Sequence, residues 1–180
     1  MIDTFQALEA LSEGQIIAIP TESVYGLSVD SANPEAVENL LKLKNRDRSK
    51  GFILITGSLE DCENLIEPLT PQQKYLLEQH WPGPVTFVIP AKSSVPDYLK
   101  GEHEGLAIRI SDHPILGAIA KDLGRPLIST SANPEGLPPA KTAADVKKYF
   151  GKKVAIVEGN LGSLRKPTDI INLLTGKRIR

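Results

Sequence analysis

QIIAIPTESVYGL, residues 15–27, sets two kinds of chemistry back to back. Ile16 to Ile19 form a continuous apolar run rich in β-branched residues, which reads as a short strand buried on both faces. Pro20 ends the run, and Thr21, Glu22, Ser23 and Tyr25 then bring together two hydroxyls, a carboxylate and a phenol. Taken alone, such a peptide is either a polar turn leaving a strand or the wall of a binding site.

The apolar half decides the fold class, because runs of the same kind recur along the chain. FILIT (52–56), VTFVIP (85–90), LAIRI (106–110), PLISTS (126–131), VAIVEG (154–159) and DIINLLTG (169–176) all read as strands. Between them lie helical patterns with start and stop signals. Phe5, Leu8 and Leu11 recur behind Thr4 as a cap and ahead of Gly14 as a stop; Asn33-Pro34 and Thr70-Pro71 pair a cap with a first-turn proline. Ser58 and Asp61 resemble a capping box opening a further helix, Pro114–Leu123 ends at Gly124, and a last helix spans Thr142 to Phe150. Strands and helices alternate, so residues 1–180 are expected to form a single α/β domain with a twisted mixed sheet covered by helices on both faces.

Bulk composition leaves the function open but narrows it. The 180 residues suffice for one core, and a formal net charge of −1 lacks the strong positive field that nucleic acid or an anionic membrane would favour. The single cysteine, Cys62, has no internal disulfide partner, and its flanks Asp61 and Glu63 oppose thiolate formation. The N-terminus is an acidic amphipathic pattern, not a leader, and no apolar run approaches the roughly 20 residues of a membrane span. A cytoplasmic protein is expected.

Several segments carry polar chemistry. KLKNRDRSK (42–50) has a basic residue at every second position. Lys42 and Lys44 suit a helix C-terminus, while an extended exit would turn Lys44, Arg46, Arg48 and Lys50 to one side as a cationic comb for phosphates. A solvated charged loop is the competing reading. In PLISTSANPEGLPP (126–139), Ser129, Thr130, Ser131 and Asn133 follow a strand end, where ligands of α/β sheets bind; equally, they can close a turn through local hydrogen bonds. WPGPVTF (81–87) reads as a rigid turn. Arg109, inside the apolar LAIRI, calls for a carboxylate from the protein or from a ligand. The chain has neither a Walker loop, a GxGxxG nor a GxSxG, and His80, His103 and His113 show no metal-ligand spacing. That pattern favours a reaction run by positioning and charge stabilisation rather than by a covalent nucleophile.

Taken in order, PTESVYGL, KNRDRSKG, WPGPVTF, LAIRISDHP and STSAN resemble the threonylcarbamoyl-AMP synthase family, the YrdC-like or TsaC family, over nearly the whole chain. The resemblance implies a YrdC-like domain with a concave cavity. It also implies a reaction in which L-threonine, bicarbonate and ATP give threonylcarbamoyl-AMP and pyrophosphate. A downstream threonylcarbamoyl-transferase complex would then modify the tRNA adenosine beside the anticodon, with contact to tRNA as a further implication. The family's KxR…SxN signature falls on Lys44, Arg46, Ser131 and Asn133, which would line the nucleotide end. By the same match Lys50 and Arg180 would contact ATP, with Mg2+ accompanying it, and the metal ligands are unassigned. Ser23, Arg109, Ser129 and Thr168 would surround threonine, with Thr21 and Tyr25 as neighbours. Two departures stand out: Gly51, Phe52 and Ile55 replace a common Pro-Leu and histidine, and Pro167, Thr168 and Asp169 replace a common Ser-Thr-Val.

Two other readings compete. One is an RNA-binding or ribosome-assembly factor of the same fold, in which the comb holds an RNA backbone. The other is a carbamoyl-transfer domain like that of hydrogenase maturation.

Overall fold

Local capping starts the helices where sequence signals place them. In the computed structural model, which describes residues 1–180, Asn33 accepts from the Ala36 amide at 3.0 Å to open α2 (Pro34–Lys44). Thr70 and Gln73 form a reciprocal capping box on α3 (Pro71–Glu78), as Thr142 and Asp145 do on α6 (Ala143–Phe150). α5 (Pro114–Leu123) ends on Gly124 in the left-handed region. Helix α1 (Thr4–Ser12) is capped by Asp3 rather than Thr4, because the extended Asp3 can reach the Gln6 amide at 2.8 Å.

Two expectations fail for local reasons. The Asp61 carboxylate accepts from the Thr56 hydroxyl and the Ser58 amide at 2.9 and 3.1 Å, so it closes a turn; only a 3-10 turn, Glu60–Cys62, follows instead of a helix. The residues after α2 are not extended either. Asn45 is left-handed (φ 49°), and Asp47 caps a 3-10 turn at Arg48–Lys50. The comb is therefore broken, and Arg48 turns outward to pair with Glu38.

The strands are β1 (Ile17–Pro20), β2 (Tyr25–Asp30), β3 (Ile53–Thr56), β4 (Val85–Pro90), β5 (Gly105–Ile110), β6 (Leu127–Ser131), β7 (Ala155–Ile156) and β8 (Asp169–Asn172). They form one eight-stranded mixed sheet in the order β7-β1-β2-β6-β3-β5-β4-β8. Strands β7/β1, β3/β5 and β4/β8 pair in parallel and the rest antiparallel. β2 is absent from the list of apolar runs because Gly26, Ser28 and Asp30 alternate in it with Tyr25, Leu27 and Val29.

That alternation divides the two faces. Tyr25, Leu27 and Val29 join the larger core, which α2 and α6 close with Leu40, Leu41, Val146 and Phe150. On the opposite face Ile17, Ile19, Ile55 and Leu127 pack under Leu11 of α1 and Leu116 and Ile119 of α5. Helices thus lie on both faces, but α1 and α5 cover only part of theirs. Beyond their edge a row runs across the sheet through paired positions: Ser129, Ile53, Ala107, Val88 and Asn172. These residues are left facing a cavity. The polar segment 92–105 is partly structured, since a short α4 (Asp97–Lys100) buries Leu99 and Val95 beside it is buried too. No helix is long and apolar enough to cross a membrane.

Candidate active site

The cavity over this row encloses about 1120 Å³, and eight of its 32 lining residues are Lys or Arg against three acids. A concave, cation-rich space of this size suits an anionic ligand larger than a single amino acid.

One wall is the turn between β1 and β2. Thr21 folds it by donating its hydroxyl and its amide to the Val24 carbonyl, at 2.7 and 3.1 Å. The turn is held from outside by a strap, residues 158–168: Gly162 and Leu164 donate their amides to the Thr21 and Glu22 carbonyls, both at 2.9 Å. A side chain at position 162 would meet the Glu22 backbone at 2.8 Å, so the strap can lie this close only with glycine there. Thr21, Glu22 and Ser23 consequently face the cavity.

Glu22 resolves the question raised by Arg109. The two side chains form an ion pair, with exposures of only 8% and 6%, and the Ser111 hydroxyl also donates to Glu22. Burial by itself would raise the Glu22 pKa, yet the Arg109 charge and the Ser111 hydrogen bond outweigh it and hold the carboxyl below its ordinary value. Oε2 of Glu22 and Nε of Arg109 are buried without a partner.

Ser129 and Ser131 project from β6 onto the cavity floor. Arg46 lines the cavity too, and its guanidinium lies 5.2 Å from the Phe52 ring centroid and donates to the Gly51 carbonyl at 2.9 Å. Burial lowers its pKa from the ordinary value against the pull of Asp47 and Glu135. Lys50 sits at the mouth, 3.5 Å from Glu135. The C-terminal residues fold back on β8, so that Arg180 donates to the Thr168 carbonyl at 3.2 Å and lines the cavity with it.

Three of the expected residues do not line the cavity. Lys44 is buried behind the floor, donating its ammonium to the backbone carbonyls of Ser131 and Asn133. Burial first, and Arg46 second, push its pKa down to about 8. Asn133 spends its side chain on the turn it terminates, accepting from Ser131 Oγ at 2.6 Å and donating to Pro134 and Leu137 carbonyls at 3.1 and 2.9 Å. Tyr25 belongs to the larger core. Conversely Lys100, Lys141, Arg165 and Lys166 line the cavity without having been singled out. Lys100 ends the short α4, and Lys141 and the Arg165-Lys166 pair sit on separate loops, so no spacing marks them and only the topology gathers them.

A family model named for Sua5, YciO and YrdC, and described as "Telomere recombination", matches residues 9–180. The chain belongs to the Sua5/YciO/YrdC family. Its relatives include the threonylcarbamoyl-AMP synthase of Marinobacter nauticus, 43% identical over 97% of this chain and 93% of that one. The protein of the same name from Photorhabdus laumondii is 44% identical over 96% and 93%. Among solved structures, P. abyssi Sua5 complexed with L-threonine superposes with a TM-score of 0.87 at 28% identity, over 99% of this chain and 54% of that one. This chain therefore spans about half the length of that Sua5. E. coli YciO shares the fold, with a TM-score of 0.80 at 24% identity.

The cavity of this Sua5/YciO/YrdC domain is lined both by hydroxyls and a buried Arg–Glu pair and by cations, Arg46 and Lys50 among them. Its donor set does not fit a metal held by the protein. No group of three His, Cys, Asp or Glu side chains converges anywhere in the chain, and Glu22 is already committed to Arg109.

Proposed function

We propose that this chain is an L-threonylcarbamoyladenylate synthase. What carries the reading is the presence, within a single cavity, of a buried guanidinium and hydroxyls together with several cations, in a chain akin over nearly its full length to proteins of that name.

The chemistry follows from these groups. The neutral amine of threonine attacks bicarbonate and releases water, giving an N-carboxylate. An oxygen of that carboxylate attacks the α-phosphorus of ATP in line, a P–O bond forms, and the bond to pyrophosphate breaks. Arg109 binds the substrate carboxylate, and the hydroxyls of Thr21, Ser23, Ser129 and Thr168 read the substrate hydroxyl. Arg46, Lys50 and Arg180, with Ser131, stabilise charge on the α-phosphate and leaving group. Lys44 and Asn133 serve the same end from behind by fixing the turn that presents Ser131. Mg2+, which characteristically keeps its waters and takes phosphate oxygens, would be held by the phosphates of ATP and would neutralise charge there. The adenylate passes to a threonylcarbamoyl-transferase complex acting on tRNA in the cytoplasm.

Cations converging inside a cavity, rather than spread along a surface, favour this reading over an RNA-binding factor. The test is pyrophosphate release from ATP with threonine and bicarbonate omitted in turn. Release should require both; release indifferent to threonine overturns the proposal.

A further inference from the structure

Glu22 is the one buried acid of the cavity, and neither the KxR…SxN signature nor the reaction chemistry gives it a task. A glutamate buried to this degree is costly unless it does something that apolar packing could not. Here it meets Arg109 through one oxygen only, and that oxygen also accepts from Ser111. Ser111 is itself fixed, because its hydroxyl accepts from the His113 amide at 3.1 Å just before α5. Backbone restraint is equally strong: the strap bonds the carbonyls of Thr21 and Glu22, and Gly162 packs against the Glu22 main chain. Glu22 is thus held at both ends, by α5's entrance and by the strap, and it in turn holds Arg109.

Arg109 has need of such a hold. It rises from β5 between Ile108 and Ile110, and across the cavity Arg180 bears on it with like charge. An untethered guanidinium beside another would be displaced from the floor. The ion pair leaves Arg109 Nε buried and unpartnered, while Arg109 still lines the cavity.

We infer that Glu22 is a positioning residue for the threonine end of the cavity: by engaging one side of the Arg109 guanidinium it aims the remaining N–H groups at the substrate carboxylate. Its role is to orient the arginine, not to take a proton. The inference rests on the synthase reading above.

The experiment compares the Michaelis constants for threonine and for ATP in wild type, Glu22→Gln, Glu22→Ala and Ser111→Ala, by pyrophosphate release. Glutamine keeps an acceptor for Arg109 and for Ser111, so E22Q should stay within about threefold of wild type for threonine. E22A should raise KM for threonine about tenfold or more while KM for ATP moves less than about twofold, a split that general loss of folded protein does not produce. S111A, which loosens Glu22 from outside the cavity lining, should shift KM for threonine the same way by about two- to fivefold. Wild-type KM for threonine in E22A, or equal rises for both substrates, overturns the inference. Should E22A fail to fold, S111A decides alone, and a wild-type threonine KM there is likewise fatal. Threonine-independent release by the wild type would instead remove the synthase reading itself.

Discussion

The ammonium of Lys44, at the end of α2, donates to the backbone carbonyl of Asn133 at 2.9 Å and to that of Ser131. A basic residue that the signature places among the catalytic groups therefore acts as a brace beneath the turn after β6, joining the helix to the part of the floor that presents the Ser131 hydroxyl.

Replacing Lys44 by methionine should strip two part-buried carbonyls of their donor. Because water can reach such groups in part, the variant should lose roughly 1–3 kcal/mol of stability, toward the low end of the cost of about 1–3 kcal/mol for each fully buried polar group left unsatisfied. Urea denaturation measures it. Turnover should fall with it at temperatures where the variant is still folded, since Ser131 loses its support.

The same residue makes stability depend on pH. Lys44 has a folded pKa of about 8 against an ordinary 10.5, so between those values the unfolded chain holds a proton that the folded chain has released. Stability contributed by Lys44 is therefore lowest below pH 8 and rises as pH climbs toward 10.5. A neutral amine still donates two N–H bonds, so the brace survives deprotonation. The deficit of K44M relative to wild type should widen from pH 7 to pH 9.5; a deficit that narrows contradicts this assignment.

Arg46 is expected to matter for turnover more than for folding. Its guanidinium stacks on Phe52 and faces the cavity, and removing one preorganised charge from a transition state costs about 2–4 kcal/mol. R46A should lower kcat/KM for ATP accordingly while leaving the melting temperature nearly unchanged. R46K should rescue little, because a lysine supplies charge but neither the planar fork nor the stacking.

Gly26 lies in β2 between the two hydroxyl walls. A Cβ there would stand 3.1 Å from Ser129 Oγ and 3.2 Å from Thr21 Cγ2. Both neighbours are side-chain atoms that can yield by a few tenths of an ångström, so G26A should fold. It should nevertheless raise KM for threonine by about fivefold, because recognition of a hydroxyl depends on undisturbed partners. Titration of threonine at saturating ATP checks it.

Cys62 should be inert in the folded protein. It is fully buried, and burial first of all drives its thiol up to about 12, the Asp61 charge adding to this against a hydrogen bond with Thr56. Iodoacetamide at pH 8 should leave the native protein unmodified over hours and label it completely in urea.

Local signals decided most elements: a cap followed by proline for α2 and α3, His113-Pro114 through Gly124 for α5, and continuous apolar runs for β1, β3, β4, β5 and β6. These are short-range effects of backbone geometry and side-chain periodicity, so neighbouring residues suffice to specify them. β2 escaped because polar residues and glycine alternate in it with apolar ones: Tyr25, Leu27 and Val29 enter the larger core, while Gly26 lines the cavity, Ser28 is buried and Asp30 pairs with Arg125. Asp61 makes only half of the expected capping box: it accepts from the Ser58 amide, but the Ser58 hydroxyl gives no cap in return and the chain goes on only as a 3-10 turn.

The five motifs marked the chain's family and part of its cavity, since Thr21, Ser23, Arg46, Lys50, Arg109, Ser129 and Ser131 all reach it. Tertiary structure alone decided what each does there. Lys44 and Arg46 are two positions apart, yet one braces a turn and the other faces the ligand space, because the left-handed Asn45 breaks the extended path that would have aligned them. Glu22 and Arg109 are 87 positions apart, and no local rule pairs them. The tertiary fold does: the turn that leaves β1 reaches over the sheet to β5, although three strands separate β1 from β5 in the sheet order. Residue type and spacing determined the chemistry available; chain crossing, which burial of the sheet's two faces imposes, determined which groups meet.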